Sequence, residues 1–430
     1  MSNYSSTFCQ EEETPCVPQT TDPQLWDHRQ GPPDGSLMMD PDVSVLLHCA
    51  VWRGLLESQV QVELSERFNR QTDTLLESEI LAVWTERVSK EPWLFNGSKF
   101  RLHSFCLVSP PSASLSSCCN QLPHVPILEA QDEQNSEPDS WTKGEENFSA
   151  GDSLHNSPLW SLNETNKYQN QRKRSEKPVD EESEPLLTLR LGLTCYKDYL
   201  GTNWSNRVSE LCQMGETEFG DPWTFLAQPL GVGAILCTRD QQVVLIRRSH
   251  KVAEAGGLLD IPGGHPEPKV VCEQLGRAVC EEQIMLDMME QKAVVSELFS
   301  SVCVEIRDEV NIPLGCLRQP VLMGVALNHT SAGRPSAEFY VSCSLTSEEV
   351  RKLYWKGGAE ASESTDIIFL SQQEVLELDR HSPLWTELCP SAKGAMLLYQ
   401  TVKPDGETVI KPQRRTDKQH QQVHEGVQIP

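Results

Sequence analysis

The chain has 430 residues, which is enough for two domains and additional segments. Its 37 basic and 62 acidic residues give a formal net charge of −25 at pH 7, which argues against nucleic acid as a partner of the bulk surface. This charge does not exclude a small phosphorylated ligand that is held together with a metal ion.

Neither the cysteines nor the apolar runs indicate secretion or membrane insertion. The 15 cysteines are scattered and form no CxxC pair, as is typical of reduced thiols rather than of a disulfide framework or a zinc site. The N-terminus is polar, and no apolar run approaches the ~20 residues of a membrane span. We therefore expect a cytoplasmic protein without a membrane partner. Arg172-Lys173-Arg174 could be a nuclear localisation signal, although such a short cluster more often belongs to a solvated linker.

Three polar segments, 1–38, 110–184 and 403–430, are predicted to be disordered because they hold few branched apolar residues. Between the first two, Val43–Leu47 and Lys99–Val108 have strand-like patterns. The amphipathic helix predicted between these strands spans Leu75–Val88, with Leu76, Ile80, Val83 and Trp84 facing inward. Leu186–Leu193, after the second polar segment, is expected to pair with the preceding strand.

A hairpin is predicted where a second domain begins, near Gly231. Val232–Cys237 and Val243–Ile246 lie on either side of a turn at Arg239-Asp240. Two arginines, Arg247 and Arg248, end the second strand, and an arginine can bind a diphosphate through two parallel hydrogen bonds. Strand alternation places the two side chains on opposite faces, so only one of them is expected to do this.

The apolar run Leu258–Ile261 leads into Pro262-Gly263-Gly264. This pattern predicts a strand that enters a glycine turn, where the missing Cβ atoms allow a ligand to approach the main chain.

A helix is predicted over the segment that ends at Val310. At about 100° per residue, its apolar residues form one stripe; they are Leu298, Phe299, Val302, Cys303, Ile306 and Val310. Glu305 and Glu309 lie at the edge of this stripe, one turn apart, with Asp308 beside them. Carboxylates at that spacing repel by roughly 3 kcal/mol at an effective dielectric of about 20. A divalent cation between them would relieve this repulsion, and oxygen ligands favour Mg²⁺ or Mn²⁺. A solvent-screened acidic helix edge is the alternative.

Two further strands are predicted at Val321–Leu327 and Ser336–Ser344, followed by a helix at Ala392–Val402 with Ser391 as its N-cap. The free amides at the start of that helix could also bind an anion.

The glycine turn and the helix together resemble the signature of the Nudix hydrolase superfamily. Val304-Glu305-Ile306-Arg307-Asp308-Glu309-Val310-Asn311-Ile312 aligns with the family's Arg-Glu-apolar-any-Glu-Glu-any-Gly-apolar. Valine replaces the arginine, aspartate the first glutamate of the pair, and asparagine the glycine. The upstream Glu297 is one residue away from the family spacing. Arg277-Ala278-Val279-Cys280-Glu281-Glu282 is a competing match nearer to Gly264, but it lacks the first glutamate.

Longer segments resemble the animal Nudix-type UDP-glucose pyrophosphatases. They include PWLFNGSKFRLHS, LRLGLTCYKDYLGTNW and IRRSHKVAEAGGLLDIPGGHPEP. The resemblance implies that Phe95 and Tyr196 contact the uridine, since an aromatic face can stack on a base. Substrate contacts are also implied for Arg248, Ala253, Asp260, His265, Glu267 and Ser391. Such enzymes often draw a further glutamate from a later loop, which makes Glu360 or Glu363 a candidate general base.

The expected architecture is an α/β Nudix αβα sandwich with a mixed sheet over 229–402, including an insertion at about 269–293. A smaller α+β domain precedes it over 39–228 and is interrupted by 110–184, because the matching segment resumes at Leu186. The implied reaction is Mg²⁺-dependent hydrolysis of UDP-glucose, and of UDP-galactose, to UMP and hexose 1-phosphate, by a monomer or weak oligomer. Glu305 and Glu309 would hold the metal, and Asp308 would contribute to catalysis. Two alternatives remain: a catalytically silent nucleotide-sugar sensor, or a hydrolase of another nucleoside diphosphate such as a dinucleotide or capped RNA.

Overall fold

A computed structural model describes residues 40–108, 185–252 and 254–406, and these belong to one compact unit. The predictions of disorder for 1–38, 110–184 and most of 403–430 lie outside the described residues, as does Ala253. Residues 403–406 are described: Lys403 ends the last helix in a left-handed conformation, and the Tyr399 hydroxyl donates to Asp405.

The described strands, in chain order, are β1 (Val43–His48), β2 (Val60–Leu64), β3 (Ser98–Leu107), β4 (Leu187–Cys195), β5 (Gly231–Cys237), β6 (Gln242–Arg248), β7 (Leu259–Asp260), β8 (Gly263–Gly264), β9 (Val321–Asn328), β10 (Arg334–Ser342) and β11 (Ser364–Ser371). The described α-helices are α1 (Thr74–Lys90), α2 (Tyr196–Gly201), α3 (Val208–Phe219), α4 (Pro268–Gln274), α5 (Gln291–Val310), α6 (Ser347–Tyr354), α7 (Gln372–Glu377), α8 (Pro383–Glu387) and α9 (Pro390–Val402).

The main sheet is mixed and runs in the order β1-β9-β10-β5-β6-β11. β10 and β5 are parallel, with Ser336 opposite Gly231, whereas the other neighbours are antiparallel. The short strand β8 pairs with β5, with Gly263 opposite Gly233, and β7 pairs with β6. These two short pairings attach the glycine turn to the centre of the sheet.

Helices cover both faces of this sheet. Alternating side chains of β5 divide between two apolar clusters, because successive residues of a strand point to opposite faces. Ala234 and Leu236 belong to the cluster that contains α5, and Ile235 belongs to the cluster that contains α9. The predicted αβα sandwich with a mixed sheet is therefore confirmed.

A second sheet, in the order β2-β4-β3, packs on the same helix α5. Its Val62 and Leu189 share one cluster with Val294 and Val295. The predicted pairing of the strand at 186–193 with its predecessor is confirmed, since β4 runs antiparallel to β3. The predicted domain boundary near residue 229 stays a prediction. β1 precedes this boundary in the chain, yet it belongs to the main sheet, because Val43 pairs with Asn328.

Two local predictions were wrong. Ser391 does not cap α9: the N-cap is Cys389, because Pro390 has the fixed φ that suits the first helical position. Val83 does not face inward on α1 but is 42% exposed. The described cysteines are all free, and none of the described helices combines the length and apolarity that crossing a bilayer requires.

Truncation of Phe299 tests how much the packing of α5 against both sheets contributes to stability. Its ring is 2% exposed and meets Phe339 edge-to-face at 5.0 Å, so Phe299→Ala should lower the free energy of unfolding by about 3–5 kcal/mol in urea denaturation. Val304 lies on the exposed side of the same helix, and Val304→Ala should change it by less than about 0.5 kcal/mol. Equal effects would contradict this packing.

Candidate active site

The glycine turn lies directly against two glutamates of α5. The Gly263 N–H donates to Glu309 Oε2 at 2.9 Å, and the His265 backbone N–H lies near the Glu305 carboxylate and favours its charged form. A Cβ atom on Gly264 would lie 2.0 Å from Glu305 Oε1, which is closer than any real contact. Only glycine at this position allows the carboxylate to approach the turn.

Both carboxylates are withdrawn from water. Glu309 is 4% exposed, and burial followed by the charge of Glu305 raises its pKa well above the usual range. Burial and the nearby Glu360 raise the pKa of Glu305 to about 7. A divalent ion with a preference for oxygen would compensate both charges. Within the described residues, no three His, Cys, Asp or Glu side chains form a complete ligand group, so water and ligand oxygens would have to fill the remaining positions.

Asp308 is oriented differently from these two residues. Both its carboxylate oxygens accept from the guanidinium of its neighbour Arg307 at 2.7 Å. Its carbonyl accepts from the Glu360 N–H at 3.0 Å, which attaches the loop around Glu360 to the end of α5. Glu360 thereby lies near the carboxylate pair.

The competing match at 277–282 does not form a helix. Residues Glu281–Gln283 form a single 3-10 turn. Glu281 accepts from the backbone N–H and the hydroxyl of Ser98 at 2.8 and 2.7 Å, while Glu282 is exposed. Glu281 therefore fixes the start of β3.

A cavity of about 420 Å³ opens beside the turn. Aromatic side chains from β4–α2 and the loop after it line it, together with cationic side chains from β3, the β6 end and β10. Its lining includes Tyr196, Tyr199, Trp204, Lys99, Arg248, Lys251, Arg334, Glu254, His265 and Glu363. This combination suits a ligand with a flat or apolar part and an anionic part.

The side chains of the two successive arginines, Arg247 and Arg248, have different partners. Arg248 lines the cavity and donates to Asp260 Oδ2 at 2.9 Å and to the Glu254 carbonyl at 3.0 Å. Arg247 instead contacts the Gly257 carbonyl and Glu387. Asp260 is buried and orients Arg248.

His265 lines the cavity as a neutral ring. Burial, Lys99 and Arg334 lower its pKa well below the usual value. Arg334 Nη1 lies 3.3 Å from His265 Nε2, and a guanidinium can only donate. Nε2 must therefore accept, which leaves the ring proton on Nδ1 as a donor.

Not all of the remaining predicted residues line the cavity. Tyr196 lines the cavity, with its ring edge-on to Trp84 at 6.4 Å between centroids. Phe95 is 69% exposed and is not among the cavity-lining residues. Glu267 pairs at 3.1 Å with Lys99, which lines the cavity. The Ser391 hydroxyl lies 3.3 Å from Cys389 Sγ, and neither of these two residues is among the cavity-lining residues.

Glu338 was not predicted and lies fully buried beneath the turn. Its carboxylate occupies the space that a Cβ atom on Gly233 would need, 2.6 Å away. Neither oxygen makes a hydrogen bond of normal geometry among the described residues. Burial raises its pKa to about 8, although the nearby Ser336 hydroxyl favours the charged form.

Curated relatives match most of the chain. The chain is 43% identical over 366 residues to Uridine diphosphate glucose pyrophosphatase NUDT22 of Mus musculus, covering 85% of this chain and 93% of that protein. The Homo sapiens protein of the same name is 42% identical over 376 residues, covering 87% and 98%. Nudix hydrolase 9 of Arabidopsis thaliana is 27% identical over 350 residues, covering 80% and 89%. No family model matches the chain.

Solved structures with a similar backbone include the Nudix hydrolase RenU from M. smegmatis, at 13% identity, with 42% of this chain and 88% of that chain covered and a TM-score of 0.23. The MutT protein from Methanosarcina mazei Go1 has 14% identity, coverage of 41% and 95%, and a TM-score of 0.24. These scores are low, and the family assignment rests on the sequence relatives.

Glu338→Gln should make stability less dependent on pH. In the wild type, the folded state keeps a proton up to a pKa of about 8, whereas the unfolded glutamate releases it near its ordinary value of 4.5. Wild-type stability should therefore fall as the pH rises through this window, and the neutral variant should gain about 2–4 kcal/mol relative to it between pH 5 and pH 9. A constant difference in urea unfolding across this range would contradict the prediction.

Gly264→Ala should weaken divalent metal binding. The added methyl group would displace the Glu305 carboxylate, and a roughly 10–100-fold loss of affinity is typical when a ligand loses its support. Titration calorimetry with Mn²⁺ would measure this. Gly315→Ala is the matched control, because a Cβ there meets nothing within 4 Å. Unchanged affinity in Gly264→Ala would show that the turn does not position the ligand.

Proposed function

Since the chain belongs to the Nudix hydrolase family, we propose that it hydrolyses the diphosphate of UDP-glucose to UMP and glucose 1-phosphate. The carboxylate pair packed against the glycine turn carries this proposal, because it lies beside a cavity with aromatic and cationic walls. The names of the relatives, which match 85% or more of the chain at 42–43% identity, supply the substrate. UDP-galactose, which differs at one hydroxyl, is proposed as a second substrate.

The family uses a divalent metal, and we assign it to Glu305 and Glu309. Their oxygen donors favour Mg²⁺, with Mn²⁺ as a substitute. When bound, such an ion neutralises the charge that develops on the phosphate and activates a water. Asp308, which is held by Arg307, would contribute to catalysis without belonging to the Glu305–Glu309 pair.

The other roles follow from where the side chains lie. Arg248, oriented by Asp260, would donate to the diphosphate, and the His265 Nδ1–H would donate to a phosphate or sugar oxygen. Tyr196 in the cavity wall would contact the uridine. Phe95 would reach the base only if the ligand extends towards the exposed loop before β3. We keep Ala253, Glu267 and Ser391 as proposed substrate-lining positions.

Two glutamates remain as candidates for the general base. Glu360 is close enough to Glu305 to raise its pKa, and Glu363 lines the cavity. Burial, then the charges of Glu363 and Asp308, raise the pKa of Glu360 itself, as is common for residues that accept a proton during catalysis.

The proposal needs neither nucleic acid nor a membrane, and it describes a monomer or weak oligomer in the cytoplasm, with a nuclear location left open. One observation favours a second function, a nucleotide-sugar sensor: Val304 replaces the arginine of the family signature and is 36% exposed.

A hydrolysis assay separates these functions. Full-length protein with UDP-glucose and Mg²⁺ should release UMP and glucose 1-phosphate. Glu305→Gln and Glu309→Gln should each lower kcat by more than about a hundredfold, since loss of a ligand exceeds the loss seen for outer-shell partners. The control is the Glu281→Gln/Glu282→Gln double variant, because the amide oxygen that replaces the Glu281 carboxylate can still accept from Ser98.

Loss of turnover only in the Glu281→Gln/Glu282→Gln variant would indicate that the metal binds at the competing segment. UDP-glucose that binds to the wild type without being hydrolysed would favour the sensor.

A further inference from the structure

Glu254 lies at the centre of a polar network in the cavity wall. Its Oε1 accepts from the Ser331 hydroxyl at 2.6 Å and from Asn328 Nδ2 at 3.2 Å. Its Oε2 accepts from Arg334 Nη2 at 3.2 Å. Because these donors engage both oxygens, Glu254 is held in place and orients Arg334.

Arg334 begins β10 and lines the cavity with a side chain that is 13% exposed. One terminal nitrogen contacts Glu254, and the other contacts His265. The third nitrogen of the guanidinium, Nε, carries a buried N–H that has no hydrogen-bond partner among the described residues. A buried donor without an acceptor costs about 1–3 kcal/mol, so one in a side chain that lines a binding cavity points to a missing acceptor.

Tyr199 carries a second donor of the same kind. It is 7% exposed, lines the cavity, and its ring lies 5.9 Å from the Arg334 guanidinium. The Ser331 hydroxyl and the Trp204 indole lie near the Tyr199 hydroxyl without completing a hydrogen bond to it. Burial raises the pKa of Tyr199 to about 12, so the hydroxyl keeps the proton it would donate.

The cations of the cavity differ in what they can still bind. Lys99 is paired with Glu267, and Arg248 with Asp260. Arg334 is paired as well, but it retains an unused Nε–H, and the ring of Tyr199, whose hydroxyl is also unused, lies 5.9 Å from its guanidinium. Two donors and a positive charge on neighbouring side chains match an anionic oxygen better than a neutral one.

We propose that Arg334 and Tyr199 form a phosphate subsite that binds an oxygen of the substrate's diphosphate, apart from the Glu305–Glu309 pair. This inference rests on the proposed function only in taking the diphosphate of a nucleotide sugar as the ligand. It makes Arg334 a residue with two roles, since the same guanidinium also fixes the tautomer of His265.

Tyr199→Phe is the decisive variant, because it removes only a hydroxyl that has no partner among the described residues. In titration calorimetry with Mg²⁺, its affinity for pyrophosphate and UMP should fall about tenfold, as expected for one hydrogen bond to a charged oxygen, while its affinity for uridine should not change. Its unfolding midpoint should stay constant or rise, since no native hydrogen bond is lost. Arg334→Gln should weaken the same two ligands further.

Tyr399→Phe is the matched control. The Tyr399 hydroxyl donates to Asp405 at 2.7 Å, and its ring belongs to the cluster around α9 on the other face of the sheet. This variant should unfold earlier and bind all three ligands normally.

Unchanged pyrophosphate binding in Tyr199→Phe, absent pyrophosphate binding in the wild type, or an equal loss for uridine would each overturn the subsite. A wild type that binds pyrophosphate but does not hydrolyse UDP-glucose would refute the proposed function alone, because these titrations need no turnover.

Discussion

The close approach of the Gly263-Gly264 backbone to α5 is the constraint on which the site depends. The missing Cβ of Gly264 leaves room for the Glu305 carboxylate, and the missing Cβ of Gly263 lets the turn lie against β5 while its N–H donates to Glu309. The carboxylates are consequently withdrawn from water, and burial raises the pKa of both. The packing of one turn against one helix therefore carries an electrostatic cost, which a cation bound between the two carboxylates would relieve.

The cavity beside the glutamate pair holds three of its cations, Lys99, Arg248 and Arg334, in fixed positions. They are paired with carboxylates outside the α5 pair, namely Glu267, Asp260 and Glu254. Because these three cations are positioned before a ligand arrives, less side-chain entropy is lost on binding. The aromatic wall of Tyr196, Tyr199 and Trp204 comes from α2 and the loop after it, which follow β4 of the second sheet. The glycine turn pairs with the main sheet, so both sheets position parts of the cavity wall.

The residue pattern predicted most of the elements around the site, because β5 and β6 are short apolar runs buried on both faces and α5 carries one apolar stripe. It missed β2 and β11. The capping of α9 was predicted wrongly because Pro390 outweighs a serine next to it. The Glu254–Arg334–His265 network could not be predicted without the family: its members are 80 and 69 positions apart, and no local pattern relates them. Glu338 was missed although its neighbours in the chain are known, since the local pattern of a strand does not show that a carboxylate among apolar residues is buried.

The pairing of β1 with β9 has a consequence for any shortened version of the chain. Ser44 and His329, which contact each other across it, are 285 positions apart. A fragment that starts near residue 229 would contain Glu305, Glu309 and the glycine turn, yet β9 would become an open edge strand with unpaired N–H and C=O groups. Such an edge recruits strands from other copies. The first described strand thus protects the main sheet from self-association, although none of its residues lines the cavity.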